Sequence, residues 1–179
     1  TLMGRQTHSQ GGVAFVFSRQ FTIEDISGIK HKDGHSEWFW TGIRLGGDGW
    51  LQNDGQTVAR VTSLEVALVR KRRILGYATV VRGGYAIAIE AGSTKVDGYE
   101  VPAGGRSERM IFEGSVEVSP KQQRSLGRRH YFIVTVRASG QRPTLTVIQP
   151  DWEQVRASAA RHLSQLSVLD GGGSENQAT

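Results

Sequence analysis

The stretch His31-Lys32-Asp33-Gly34-His35-Ser36-Glu37 gathers two imidazoles and two carboxylates into a few residues. These are the side chains that ligate divalent ions or carry protons. His31, His35 and Glu37 are the candidate ligands for a borderline cation. On a helix the two histidines would share a face, but Asp33-Gly34 is a turn dipeptide and argues against a helix. Nothing else in the chain visibly supplies a fourth ligand or a general base, so a solvated polar loop is the competing reading and no cofactor is assigned. Gly46 to Gly55 carries Asp48, Asn53 and Asp54 but lacks the spacing and the distal glutamate of a calcium loop. No phosphate-cradling glycine loop, GxSxG elbow or HExxH helix occurs. With no cysteine in the chain, thiolate nucleophiles and disulfides are excluded. A binding or structural role therefore ranks above catalysis, and a metal-assisted enzyme on His31, His35 and Glu37 is the catalytic alternative.

The cationic residues point elsewhere. Arg70, Lys71, Arg72 and Arg73 join two predicted strands, Arg82 abuts a pair of glycines, and Lys121, Arg124, Arg128 and Arg129 occupy a later connection. If these segments meet at one end of the fold, they form a positive patch whose hold on phosphates would weaken with salt as counterions are released. Tyr77, Tyr85 and Tyr131 lie close to the clusters in sequence and could stack on bases. The formal charge of +5 and pI near 9.9 suit a polyanion such as nucleic acid or an anionic surface, or an acidic protein partner. Charged loops that merely keep strand ends soluble and unpaired are the competing reading. Trp38 and Trp40 flank Phe39, so on a strand both tryptophans share one face, a possible partner surface.

Most of the elements that must carry these residues read as strands. Val13, Phe15 and Phe17 alternate, as do Phe39, Thr41, Ile43 and Leu45. The glycine-dense Gly46 to Gly55 reads as a loop holding Trp50. Val58, Arg60, Thr62, Leu64, Val66 and Leu68 alternate with Ala59 to Val69, with a bend near Ser63. Gly83-Gly84 separates two β-prone runs and reads as a tight hairpin turn. Met110 to Val118 is a strand, and Tyr131 to Ala138 directs Phe132, Val134 and Val136 inward. Ser139-Gly140 then turns the chain into Thr144 to Ile148.

The last element differs in kind. Trp152, Val155, Ala159, Leu163, Leu166 and Leu169 recur at steps of three and four, the stripe of a helix from Asp151 to Leu169. Asp151 is placed to cap its start, with Gln154 three residues on, and Gly171 to stop it. The expected fold is one mainly β domain of about 7–9 antiparallel strands, a sandwich or partly open barrel closed by this helix. In element order from Val13 to Leu169 it resembles the pleckstrin-homology-like barrels, an outline that fixes no function. Residues 1–12 are expected to form a flexible N-terminal arm, 13–170 the single domain and 171–179 a flexible tail. No run reaches the roughly 18 apolar residues of a membrane span, so a soluble cytoplasmic or virion-associated protein is expected. The leading functional expectation is a module whose basic loops bind a polyanion or acidic partner. The alternative is a structural, oligomeric subunit of a phage- or virus-like particle or a large complex.

Overall fold

Period-two alternation draws the strands into one antiparallel sheet that curls around its apolar face. The computed structural model describes residues 5–8, 11–74, 76–89 and 96–171. In chain order the elements are β1 (Arg5–His8), β2 (Val13–Lys32), β3 (His35–Asn53), β4 (Ala59–Lys71), β5 (Tyr77–Ile89), β6 (Glu100–Val101), β7 (Met110–Glu117), α1 (Pro120–Ser125), β8 (His130–Ala138), β9 (Thr144–Gln149) and α2 (Trp152–Gly171). The spatial order is β1-β9-β8-β4-β5-β7-β3-β2, with β6 added to β4. Phe15, Phe17, Phe112 and Phe132 are fully buried inside, with the Phe15 and Phe112 rings 5.1 Å apart.

Side chains draw the two sheet edges together. Inward-facing Thr144 and Thr146 on β9 donate their hydroxyls to the Val13 and Phe15 carbonyls of β2. The Gln6 amide donates to the Phe17 carbonyl at 2.8 Å, and its oxygen accepts from the Phe17 N–H at 3.2 Å. These bonds serve backbone groups of β2 that no neighbouring strand reaches, as buried polar groups require. The result is a nearly closed barrel. Arg5–His8, expected within a poorly ordered arm, is a strand paired with β9. Residues 1–4 and 9–10 of that arm, and the tail after Gly171, lie outside the described residues.

Two further sequence expectations fail at glycines. Gly83-Gly84 is no hairpin turn: β5 runs unbroken through it, pairing with β4 up to Gly83 and with β7 from Gly84 onward. A Cβ on Gly83 would lie 2.1 Å from the Ser115 carbonyl oxygen, so glycine is there for close backbone approach. Gly46 to Gly55 is not a loop either, because Gly46–Asn53 belongs to β3. A Cβ on Gly49 would meet the Val16 carbonyl at 2.3 Å and the Phe15 ring at 2.9 Å, so the glycine makes room for the aromatic interior. Trp50 sits on this strand under the Arg106 guanidinium, 5.3 Å from its ring centre.

The long alternation of β4 changes face partway. A register shift between Val61 and Ser63 leaves Ala59 and Val61 inward on one side, and Leu64, Val66 and Leu68 inward on the other. This is the bend expected near Ser63, produced by a bulge that the period-two reading passes through.

The barrel carries a two-stranded arm. From Ser27 to Trp40, β2 and β3 pair only with each other, because β7 joins β3 no earlier than Gly42. Asp33 and Gly34 close the tip with φ of 52° and 78°, the turn that the dipeptide predicts. Helix α2 caps the barrel beside the arm. Its first-turn amides at Glu153 and Gln154 donate to the Asp151 carboxylate at 3.1 and 3.2 Å. Trp152, Val155 and Ala159 are buried, Leu163 and Leu166 half-buried, and Leu169 is 76% exposed, so the stripe runs off the barrel. Gly171, expected just past the helix, is its last residue.

Candidate polyanion interface

The end of β4 and the start of β8 bring the two arginine clusters together. Arg70 pairs with His130 and Val69 with Tyr131 across the ladder. One step further, the Lys71 N–H donates to the Arg129 carbonyl at 2.7 Å. Arg70, Lys71, Arg72, Arg73, Arg128 and Arg129 are all exposed at this end. Three arginines elsewhere have carboxylate partners: Arg44 meets Glu24 at 2.7 Å, Arg109 meets Asp48 at 2.8 Å and Arg137 meets Glu65 at 3.5 Å. Among the described residues no carboxylate pairs with any cation of the basic end.

Local sequence fixes this geometry. The turn after β4 closes through the Arg72 N–H on the Gly76 carbonyl at 2.7 Å, with Gly76 at φ 70°. Before β8, Ser119 and Gln122 form a capping box and Pro120 opens α1. The S-x-x-Q signature with proline was legible in the sequence, where the segment passed as a plain connection. Leu126 is buried behind α1, and Arg156 of α2 donates to its carbonyl at 2.8 Å. Lys121 and Arg124 ride on α1, whose Gln123 side chain donates to the Trp40 carbonyl, so they flank the arm's base. Arg82 stands apart, opposite Ala67 partway along β5.

The tyrosines divide similarly. Tyr77 pairs with Lys71 and its ring meets Tyr131 edge-on at 5.6 Å, directly beside the basic end. Tyr85 lies further along β5, its ring parallel to Phe112 at 6.4 Å. Trp40 is buried in the core, Trp38 half-buried and Phe39 exposed, so the tryptophan face of the arm is the inner one.

His31, His35 and Glu37 occupy the arm's exposed tip. His31 pairs with Ser36, bonding its hydroxyl at 3.0 Å, whereas His35 pairs with Lys32, so alternation sets the two imidazoles on opposite faces. Among the described residues no three His, Asp or Glu side chains converge as a metal site.

His130 is a residue that sequence reading passed over, because nothing local distinguishes it from its basic neighbours. It is buried between the basic end and the helix: its carbonyl accepts from the Trp152 indole N–H at 2.9 Å, and its Nδ1 accepts from the Gly127 N–H at 3.2 Å. Burial, joined by the Arg70 charge, holds the imidazole below its usual pKa. The folded state therefore resists a proton that the unfolded state accepts. Stability should be full above about pH 6.5 and fall as pH drops from there toward the lower folded pKa. In urea titrations, His130→Asn, which retains an acceptor for Gly127, should show a shallower loss than wild type. Equal pH profiles would contradict this account.

Fold and site together define a nearly closed antiparallel barrel with a helical lid and one basic end. No protein-family model, curated protein or solved structure matches the chain.

Proposed function

We propose that this protein binds a polyanion, nucleic acid foremost, through the end where β4 runs out and β8 begins. The observation that carries the proposal is the Lys71–Arg129 backbone bond at 2.7 Å, which merges clusters distant in sequence into one exposed cationic surface. A net charge of +5 adds long-range attraction for such a ligand. The ordinary alternative, that the cations keep strand ends soluble, predicts dispersal and carboxylate pairing, as at Arg44 and Arg109.

The test is heparin and duplex DNA binding at low salt, followed across a salt series. Arg72→Glu combined with Arg129→Glu should weaken binding about tenfold or more and flatten the salt slope by about 1 per lost phosphate contact. Undetectable wild-type binding at low salt would end the proposal, as would an unaltered double variant.

A second reading, a subunit of a self-assembling particle, is supported by the arm. Isolated two-stranded ribbons are marginal in water, yet this one exposes 43% of Ile29 and 37% of Phe39. Under this reading sedimentation velocity shows concentration-dependent association that Ile29→Lys with Phe39→Lys abolishes. A strictly monomeric wild type at high concentration removes it.

A further inference from the structure

Next to the basic end, the outer face of the sheet holds a groove in which apolar and polar side chains alternate. The groove, of about 540 Å³, is lined by Val69, Tyr77, Arg82, Tyr85 and Ile133, among others, and by Glu65, whose carboxylate is paired with Arg137 at 3.5 Å. Its floor comes from alternate positions of β4, β8 and β9 that point away from the barrel interior: Ala67 and Val69 beside Ile133, with Leu145 opposite Thr135. Val69 and Ile133 are themselves buried and Ala67 and Leu145 half-buried, so the surface this groove offers to a ligand is its exposed tyrosine rings. Tyr77 and Tyr85 both line the groove and remain 38% and 42% exposed, Tyr85 with one ring face stacked on the buried Phe112. Tyr77 and Tyr131, packed edge-to-face, stand between the floor and Arg70, Lys71 and Arg129.

Exposed aromatic rings along a groove with cations at one end match the needs of unpaired nucleotides. Each base offers a π-face and an apolar surface, while its phosphate seeks a cation. A duplex hides its base faces and would use only the cationic end. Resting on the polyanion reading above, we infer that the ligand is single-stranded nucleic acid, its bases laid on the groove at Tyr77, Tyr131 and Tyr85. Its phosphates turn toward Arg70, Lys71, Arg72 and Arg129 at one end and toward Arg82 in the groove's lining.

The experiment compares three probes by fluorescence anisotropy: labelled oligodeoxythymidylate of about 12 nucleotides, a duplex of the same length, and heparin, which has charge without bases. Wild type should prefer the single strand over the duplex by about tenfold or more. Tyr77→Ala and Tyr131→Ala should each weaken single-strand binding by about 5- to 100-fold, while leaving heparin binding unchanged. Tyr77→Phe, which keeps the ring, should behave as wild type. If either alanine variant fails to fold, Tyr77→Leu keeps apolar cover without a π-face and gives the same comparison. Equal affinity for single strand and duplex, with no effect of the tyrosine substitutions, would overturn this inference and leave the polyanion reading standing. Loss of all three probes from the wild type would overturn both.

Discussion

Gly83→Ala should destabilise the protein by about 3 kcal/mol or more, while Gly84→Ala, one residue on, should be close to neutral. The added methyl at position 83 would lie 2.1 Å from the Ser115 carbonyl oxygen and 2.8 Å from a Val116 methyl, whereas a Cβ at position 84 meets nothing within 4 Å. The obstacle is backbone on the neighbouring strand, so no rotamer change relieves it. Gly83 is where β5 passes from β4 to β7, and an outward shift there would part both halves of the sheet. Against a total stability of about 5–15 kcal/mol, such a loss is large. Urea midpoints of the two variants decide the matter. Were the pair a hairpin turn, both positions would tolerate turn-forming residues such as asparagine, so a fully stable Gly83→Asn would refute the continuous strand.

Trp152→Ala should cost about 3–5 kcal/mol, the usual range for truncating a buried large aromatic residue. The indole stacks on Phe132 at 6.2 Å between ring centres and donates to the His130 carbonyl at 2.9 Å. It thus joins the helical lid to the strand that opens at the basic end. Trp152→Phe separates the two contributions. It keeps an aromatic ring against Phe132 but deprives the carbonyl of its partner, and should cost about 1–3 kcal/mol. If the lid is a stabilising element only, both variants lose stability in urea melts while binding heparin normally at low temperature. A Trp152→Ala protein as stable as wild type would show that the helix is not anchored there.

These two residues mark different depths of legibility. Trp152 was readable as the start of the helix's apolar stripe because steps of three and four depend only on helix geometry, and Asp151 caps the helix by bonding amides two and three residues ahead. The Asp33-Gly34 and Ser139-Gly140 turns were readable for the same reason, since each is set by backbone conformation over a few residues. Gly83 and Gly49 were misread because the sequence shows only that a side chain is missing. What fills the space, the Ser115 carbonyl in one case and the Phe15 ring in the other, belongs to strands remote or out of register in the sequence.

The candidate site divides along the same line. The sequence by itself determined that cations cluster in two segments, that three tyrosines lie near them, and that the chain is mainly β with a C-terminal helix. Composition and short-range periodicity carry that information. Only the tertiary structure decided that Lys71 and Arg129 are bonded neighbours, that Tyr77 meets Tyr131, that Arg82 stands apart and that His31 and His35 face opposite ways. Those relations follow from which strands pair and in what register. Pairing is fixed by burying Phe15, Phe112 and Phe132 in a common interior, a property of the whole chain rather than of any segment within it.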